Sequence, residues 1–259
     1  MIADISWKML MKRKMIARRI VPKFIDDYLR KRDLPSIRMN QISSVSMSQA
    51  GQDYWVYGEV YNEATHLFFL DIGAHDGVFL SNTFILETRY HWKGICIEAN
   101  PISFSALQKN RSCTCINTCV DNTDGVVPFA LRGVMGGIIS DDCDNKEKTF
   151  KTADVSATRL DKILEEHDAP HVIDYLSIDI EGAEDRALLD FPFSDYTFNC
   201  ITIERPSEQL RDKLKINGYL LIKEIPYLDC FFIHQSFKER YQENLFAFGC
   251  KRHIMRRWS

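Results

Sequence analysis

Phe69-Leu70-Asp71-Ile72-Gly73-Ala74-His75-Asp76-Gly77 is the stretch that decides the fold. The run HLFFLDI (66–72) is apolar enough to be a buried strand. Gly73 and Gly77 permit a tight turn out of it, and a helical pattern follows at about 79–90. Strand, glycine turn and helix form the opening unit of a parallel α/β sheet. A helix N-terminus offers free N–H groups and a positive partial charge, which suits an anion. The loop is not the GxGxxG of dinucleotide sites. Asp71 and Asp76 would also repel a pyrophosphate. A zwitterionic amino acid fits better, its carboxylate toward the loop amides and its ammonium toward Asp71.

The same reading extends outward. GICIEANP (94–101) ends a second strand on Glu98, 21 residues after Gly77. An acidic side chain at that edge is placed to accept both hydroxyls of a ribose. TCINTCV (114–120) reads as a third strand ending at Asp121. Asp121 either accepts from an adenine amino group or simply opens the turn Asp-Asn-Thr-Asp-Gly. S-adenosylmethionine joins the amino acid, ribose and adenine in one molecule. Its expected contacts are Asp71, Gly73, Ala74, His75, Gly77, Glu98, Ala99, Asp121 and Asp179.

LSIDIEGAE (176–184) closes a further strand, YLSIDI (175–180). Alternation puts Ile178 and Ile180 on one face and Asp179 and Glu181 on the other. Both carboxylates therefore reach the crevice beyond the carboxyl ends of the strands, with Asp71 and Glu98. Glu184 falls in the first turn of the next helix, where the helix dipole favours it. FNCITIE (198–204) ends on Glu204, followed by Arg205. These groups form either a structural ion-pair network or an oxygen-ligand site, in which Asp179, Glu204 and waters would suit magnesium.

Further helical patterns lie at about 101–110, 158–167, 183–189 and 207–217. Strands alternating with helices predict a mostly parallel sheet covered on both faces. The last two strands, YLLIKEI (219–225) and CFFIH (230–234), are joined by only PYLD, so they form an antiparallel hairpin. Residues 121–153 are irregular and read as a substrate-side insertion.

Among 259 residues the net charge is -3, but its distribution is uneven. Residues 1–32 carry ten Lys/Arg against three Asp, and residues 250–259 carry four against none, which leaves the middle at -14. An acidic body with basic ends is not the footprint of a nucleic-acid-binding domain. Apolar residues recur at helical spacing over 6–32, so 1–45 reads as a basic amphipathic helical segment and linker. It packs on the acidic body or docks on anionic lipid or a protein partner. The region 46–245 is one domain and 246–259 a basic tail. No apolar run is long enough for a membrane span or a signal peptide, so a cytoplasmic protein is expected, peripheral to a membrane if the basic segment docks there. Cys113, Cys115 and Cys119 would share one strand face as small packing residues. A metal there would lack its remaining ligands.

FLDIGAHDG, GICIEANP and LSIDIEGAE, in this order and spacing, resemble the FkbM family of S-adenosylmethionine-dependent methyltransferases. SQAGQD (48–53) looks like the family's upstream element. The resemblance covers roughly 46–240, and His75-Asp76 departs from the Asn and apolar residue common at those positions. It implies a class I methyltransferase fold: a Rossmann-like, mostly parallel seven-stranded sheet with a C-terminal antiparallel hairpin. It also implies O-methylation of a hydroxyl on a sugar, glycan or secondary metabolite. Such a reaction aligns the methyl with the acceptor oxygen and removes a proton. Glu181, beside Asp179, is the first candidate base; His234 at the end of the last strand is second and His75 third. The competing readings are a non-catalytic Rossmann-like binding protein and a nucleotide-sugar or nicotinamide enzyme.

Overall fold

The computed structural model describes residues 46–146 and 150–257, with side chains to 250. The basic segment expected over 1–45 lies outside the described residues. Seven strands form the main sheet: β1 (Phe68–Ile72), β2 (Lys93–Ile97), β3 (Thr114–Ile116), β7 (Val172–Ile178), β8 (Thr197–Glu204), β9 (Tyr219–Glu224) and β10 (Asp229–His234). Their order is β3-β2-β1-β7-β8-β10-β9. All pairings from β3 to β8 are parallel, whereas β10 runs antiparallel to both β8 and β9. The expected fold class is the observed one, C-terminal hairpin included. Among the described residues no helix is long and apolar enough to cross a membrane.

Alternation along each strand builds two cores. Leu70 and Ile72 of β1, Ile95 and Ile97 of β2, and Ile201 and Ile203 of β8 pack on one face with α4 (Leu160–Glu166), α5 (Glu184–Leu188) and α6 (Glu208–Ile216). Phe69, Cys96, Tyr175, Cys200, Phe231 and Ile233 point the other way. There they meet α2 (Phe84–Tyr90), α3 (Pro101–Asn110) and α7 (Lys238–Arg257). Two covered faces explain why the strands read as almost unbroken apolar runs. The helices start on ordinary signals: Asn100 caps α3 ahead of Pro101, and Ser207 Oγ accepts the Leu210 N–H at 3.1 Å on α6.

Four expectations change. The helix after β1 begins at Phe84 rather than near 79, because residues 73–83 form an extended loop closed by side-chain hydrogen bonds. The third strand breaks at Asn117: β3 stays in the main sheet, while β4 (Cys119–Val120) leaves to pair with β6 (Thr152–Thr158). Cys119 therefore sits in a different core from Cys113 and Cys115. Part of the irregular stretch is β5 (Gly125–Ala130), antiparallel to β6 in a three-stranded sheet ordered β4-β6-β5. Finally, α7 runs straight through the boundary drawn at 245. Its Tyr241 and Phe248 are buried beside Trp55 and Val56, in a π-helical segment (Trp55–Val60) that continues α1 (Gln52–Tyr54).

Candidate active site

The carboxyl ends of β1, β2 and β7 meet at Gly73, which has φ +89°. A Cβ there would lie 1.9 Å from the Asp179 carbonyl oxygen, so only glycine fits. The N–H groups of Gly73 and Ala74 donate to Ile97 O at 3.0 and 3.1 Å, and Asp179 N–H donates to Ile72 O at 3.1 Å. The first turn is thereby tied to both neighbouring strands.

Two connected clefts open above this turn. One, of about 540 Å³, is lined by Gln49, Gln52, Asp71, Asn82, Ser177 and Asp179 among others. The other, of about 470 Å³, is lined by Glu98, Ala99, Val120, Phe129, Ile138 and Ala183. Gly73, His75, Val134 and Asp179 border both. Asp71, Gly73, Ala74, His75, Glu98, Ala99 and Asp179 are thus brought together as the sequence suggests.

The hydrogen bonding around them differs from expectation. Asp76 accepts from Val78 N–H at 3.0 Å and Phe79 N–H at 2.7 Å, so its own carboxylate fills the anion position of the loop. His75 N–H goes to Glu98 Oε2 at 2.7 Å, and Gly77 N–H returns to Ala74 O at 2.9 Å. The amides of 73–75 and 77–79 are therefore used internally and do not present the anion site read from the sequence. Gly77 serves packing, because a Cβ there would meet Leu107 and Arg111.

Asp71 is buried, and burial raises its pKa against the pull of Arg111, Thr83 and Ser177. Thr83 Oγ1 donates to it at 2.5 Å, and Arg111 Nη2 donates to Thr83 at 3.0 Å. Glu98 is also buried and raised for the same first reason. Its oxygens accept from His75 N–H and Asn100 N–H, both at 2.7 Å. A carboxylate has about four lone-pair positions. Two remain for paired hydroxyls.

Asp121 is not available to an adenine. Arg186 clamps both its oxygens at 2.8 Å, and Asn122 N–H takes Oδ1 at 2.8 Å. The residue borders neither cleft. The apolar slot of Val120, Phe129, Ile138 and Ala183 remains for a flat heterocycle.

The other half of the site is a crowd of acids at the ends of β7, β8 and β10. Asp179, Glu181 and Glu204 each bring an oxygen within 4.8 Å of the others. Burial, then Glu204, Asp229 and Glu181, pushes the Asp179 pKa well up. Glu181 stands at φ +57°. Burial and Glu204 push it up to about 7 against Arg205. Glu184 opens α5 as expected and accepts the Ile180 N–H at 2.9 Å, but burial raises it to about 8 and outweighs the dipole expected to favour its charge. Arg205 Nη2 lies 2.9 Å from Glu204, 2.5 Å from Asp144 and 3.6 Å from Glu181. A guanidinium thus already neutralises Glu204, one of the two carboxylates considered for magnesium, and lies near Glu181. The long excursion reaches this half too, since Asp144 N–H donates to Glu181 O at 3.1 Å.

Sequence reasoning missed Asp229 and misplaced His234. Because β10 is antiparallel, its first residue, Asp229, pairs with Glu204 at the carboxyl edge. His234 pairs with Tyr219 five residues on, roughly 17 Å away along the strand. There it contacts Ser236 Oγ at 2.7 Å and Asn217 O at 3.2 Å, at the opposite end of the strand from Asp229. Asp229 is buried, accepts from Gln52 Nε2, and is raised by burial and Glu204 to about 7. Gln52 belongs to SQAGQD, the one signal that pointed this way. His75 borders the cleft, with its imidazole 3.7 Å from Asp76.

Residues 71–221 match the family described as Methyltransferase FkbM domain. The chain matches none of the curated proteins. Among solved structures it is similar to the methyltransferase FkbM from Methylobacillus flagellatus KT, at 15% identity and TM-score 0.42, over 69% of this chain and 48% of that one. It is also similar to the N-terminal domain of human METTL16 in complex with SAH, at 13% identity and TM-score 0.41, over 70% of this chain and 68% of that one. A further METTL16 methyltransferase-domain structure gives 12% identity and TM-score 0.43, and the chain spans 70% of itself and 65% of that relative. With more than half of its length matched, the chain belongs to the FkbM methyltransferase domain family.

Proposed function

We propose that the chain is an S-adenosylmethionine-dependent O-methyltransferase acting on a hydroxyl of a sugar, glycan or secondary metabolite. The observation that carries this is Glu181. It is a carboxylate raised to about 7, with an oxygen within 4.8 Å of one of Asp179, which borders both clefts. A general base works best with a pKa near the working pH.

The residues fit the donor. The two free acceptor positions of Glu98 suit ribose hydroxyls. Val120, Phe129, Ile138 and Ala183 suit adenine. Gln49, Ser81 and Asn82 bring polar groups to the amino acid end. S-adenosylmethionine supplies an electrophilic methyl group, so the protein needs only to align an acceptor oxygen and take its proton. Glu181 takes that proton. Asp179, with Glu204 and Asp229 beside it, accepts neighbouring hydroxyls of the acceptor. A polyol offers many O–H donors to such a cluster.

Methyl-labelled S-adenosylmethionine with a panel of hydroxyl, amine and carboxylate acceptors tests this. Label should pass to hydroxyl-bearing acceptors; transfer confined to amines or carboxylates would refute it. Turnover should also survive exhaustive EDTA treatment, because Arg205 holds the cationic place between Glu181 and Glu204. Loss restored by magnesium would return Asp179 and Glu204 to the role of metal ligands.

A further inference from the structure

Asn82 lines the first cleft beside Gly73, Ser177 and Asp179. Its Nδ2 donates to Ser177 Oγ at 2.9 Å, while its Oδ1 is buried with no hydrogen-bond partner. A buried carbonyl oxygen left unpaired is costly, and such atoms in a binding cleft point to a missing donor.

The surrounding network fixes which way the amide faces. Ser177 Oγ takes the Asn82 Nδ2 proton at 2.9 Å, and the Ser177 hydroxyl helps to lower the pKa of Asp71. Asn82 thus turns its NH₂ group there and leaves Oδ1 as the free acceptor. Asp71 already holds the hydroxyl of Thr83, and Arg111 and Ser177 also lower its pKa against burial. It has less to offer a ligand cation than its position in the sequence suggests.

We propose that Asn82 Oδ1 accepts a hydrogen bond from the ammonium of the methionyl group. Asp71 stands behind it as the anchor of the chain Arg111, Thr83, Asp71, Ser177, Asn82. This rests on S-adenosylmethionine as the ligand of the cleft, and it moves to Asn82 the contact expected of Asp71. The arrangement is a binding contact, separate from proton removal at Glu181.

Calorimetry tests it with two probes, S-adenosylhomocysteine and its analogue lacking the α-amino group. Asn82→Leu should weaken S-adenosylhomocysteine by roughly 10- to 150-fold, the range for a hydrogen bond to a charged group. The analogue should change by less than about threefold, having no ammonium to lose. Asn82→Asp keeps an acceptor oxygen but gives up the donor to Ser177. It should recover most of the affinity, and its folding is checked by thermal unfolding. Equal weakening of both probes, or Asn82→Asp as weak as Asn82→Leu, would show that Asn82 acts only through Ser177. An unaltered chain that binds neither probe refutes the cofactor assignment itself. Tight S-adenosylhomocysteine binding indifferent to Asn82→Leu refutes this contact alone.

Discussion

The two halves of the cleft treat carboxylates in opposite ways. Over β1 and β2, each acid has donors. Asp71 has Thr83, Asp76 has Val78 and Phe79, and Glu98 has His75 and Asn100. Over β7, β8 and β10, the acids are set against one another. Arg205 serves Glu181 and Glu204, and Asp179 is raised by four neighbouring acids besides burial. The first half is built to keep fixed charges still while a ligand is held. The second is built to keep protons within reach near neutral pH. In the proposed function, binding and proton transfer are therefore separated by the single glycine turn at 73, and each half should break in its own way.

The largest effect belongs to that turn. Gly73→Ala puts a methyl group 1.9 Å from a backbone oxygen at φ +89°. A loss of about 4 kcal/mol or more is expected, enough to abolish the folded domain in thermal unfolding. Next comes the acidic half. Glu181→Gln preserves shape and removes the base, so kcat should fall by roughly 10²–10⁴ in a folded protein. A stable, fully active variant would remove Glu181 from the chemistry.

The unaltered enzyme carries the third effect. With Glu181 raised to about 7, kcat/KM should fall about tenfold per pH unit below 7 and level off above it. Stability should run the other way. Glu181, Glu184 and Asp229 bind protons more tightly folded than unfolded, with folded values of about 7, 8 and 7. Between the ordinary carboxylate range and about pH 8 the unfolded chain releases these protons first, so Tm should decline as pH rises through that window. A Tm that climbs over that range would contradict the crowding. The smallest effect is at His234, where Ala should change kcat by less than about twofold and cost about 1 kcal/mol through the lost cap of Ser236 N–H.

What was legible in the sequence follows from the same physics. The sheet was readable because strands buried on both faces are continuous apolar runs. Its carboxyl edge was readable because acids interrupt those runs at Asp71, Glu98, Asp179 and Glu204. Partners brought from far along the chain were not readable. Arg186 reaches Asp121 across 65 residues and Gln52 reaches Asp229 across 177, and no local pattern announces either. His234 was misplaced although the hairpin had been inferred. An antiparallel last strand carries its first residue, not its last, to the active edge, so Asp229 was available to the same logic. The C-terminal helix had a signal as well, since Tyr241 and Phe248 are seven residues apart on one face. The excursion over 121–153 lies near the site, where Val134 borders both clefts, but its sheet was hidden because β4 has only two residues, Pro128 interrupts β5 and polar residues fill one face of β6.

The division of labour is tested most directly by titrating S-adenosylhomocysteine into Glu98→Ala and Glu181→Gln side by side in a calorimeter. Glu98→Ala removes charge-assisted bonds to the ribose and should weaken binding by roughly 10- to 150-fold. Glu181→Gln should stay within about twofold of the unaltered chain, because its side chain serves the acceptor. Equal weakening in both variants, or no weakening in a folded Glu98→Ala protein, would contradict the separation of a binding half from a proton-taking half.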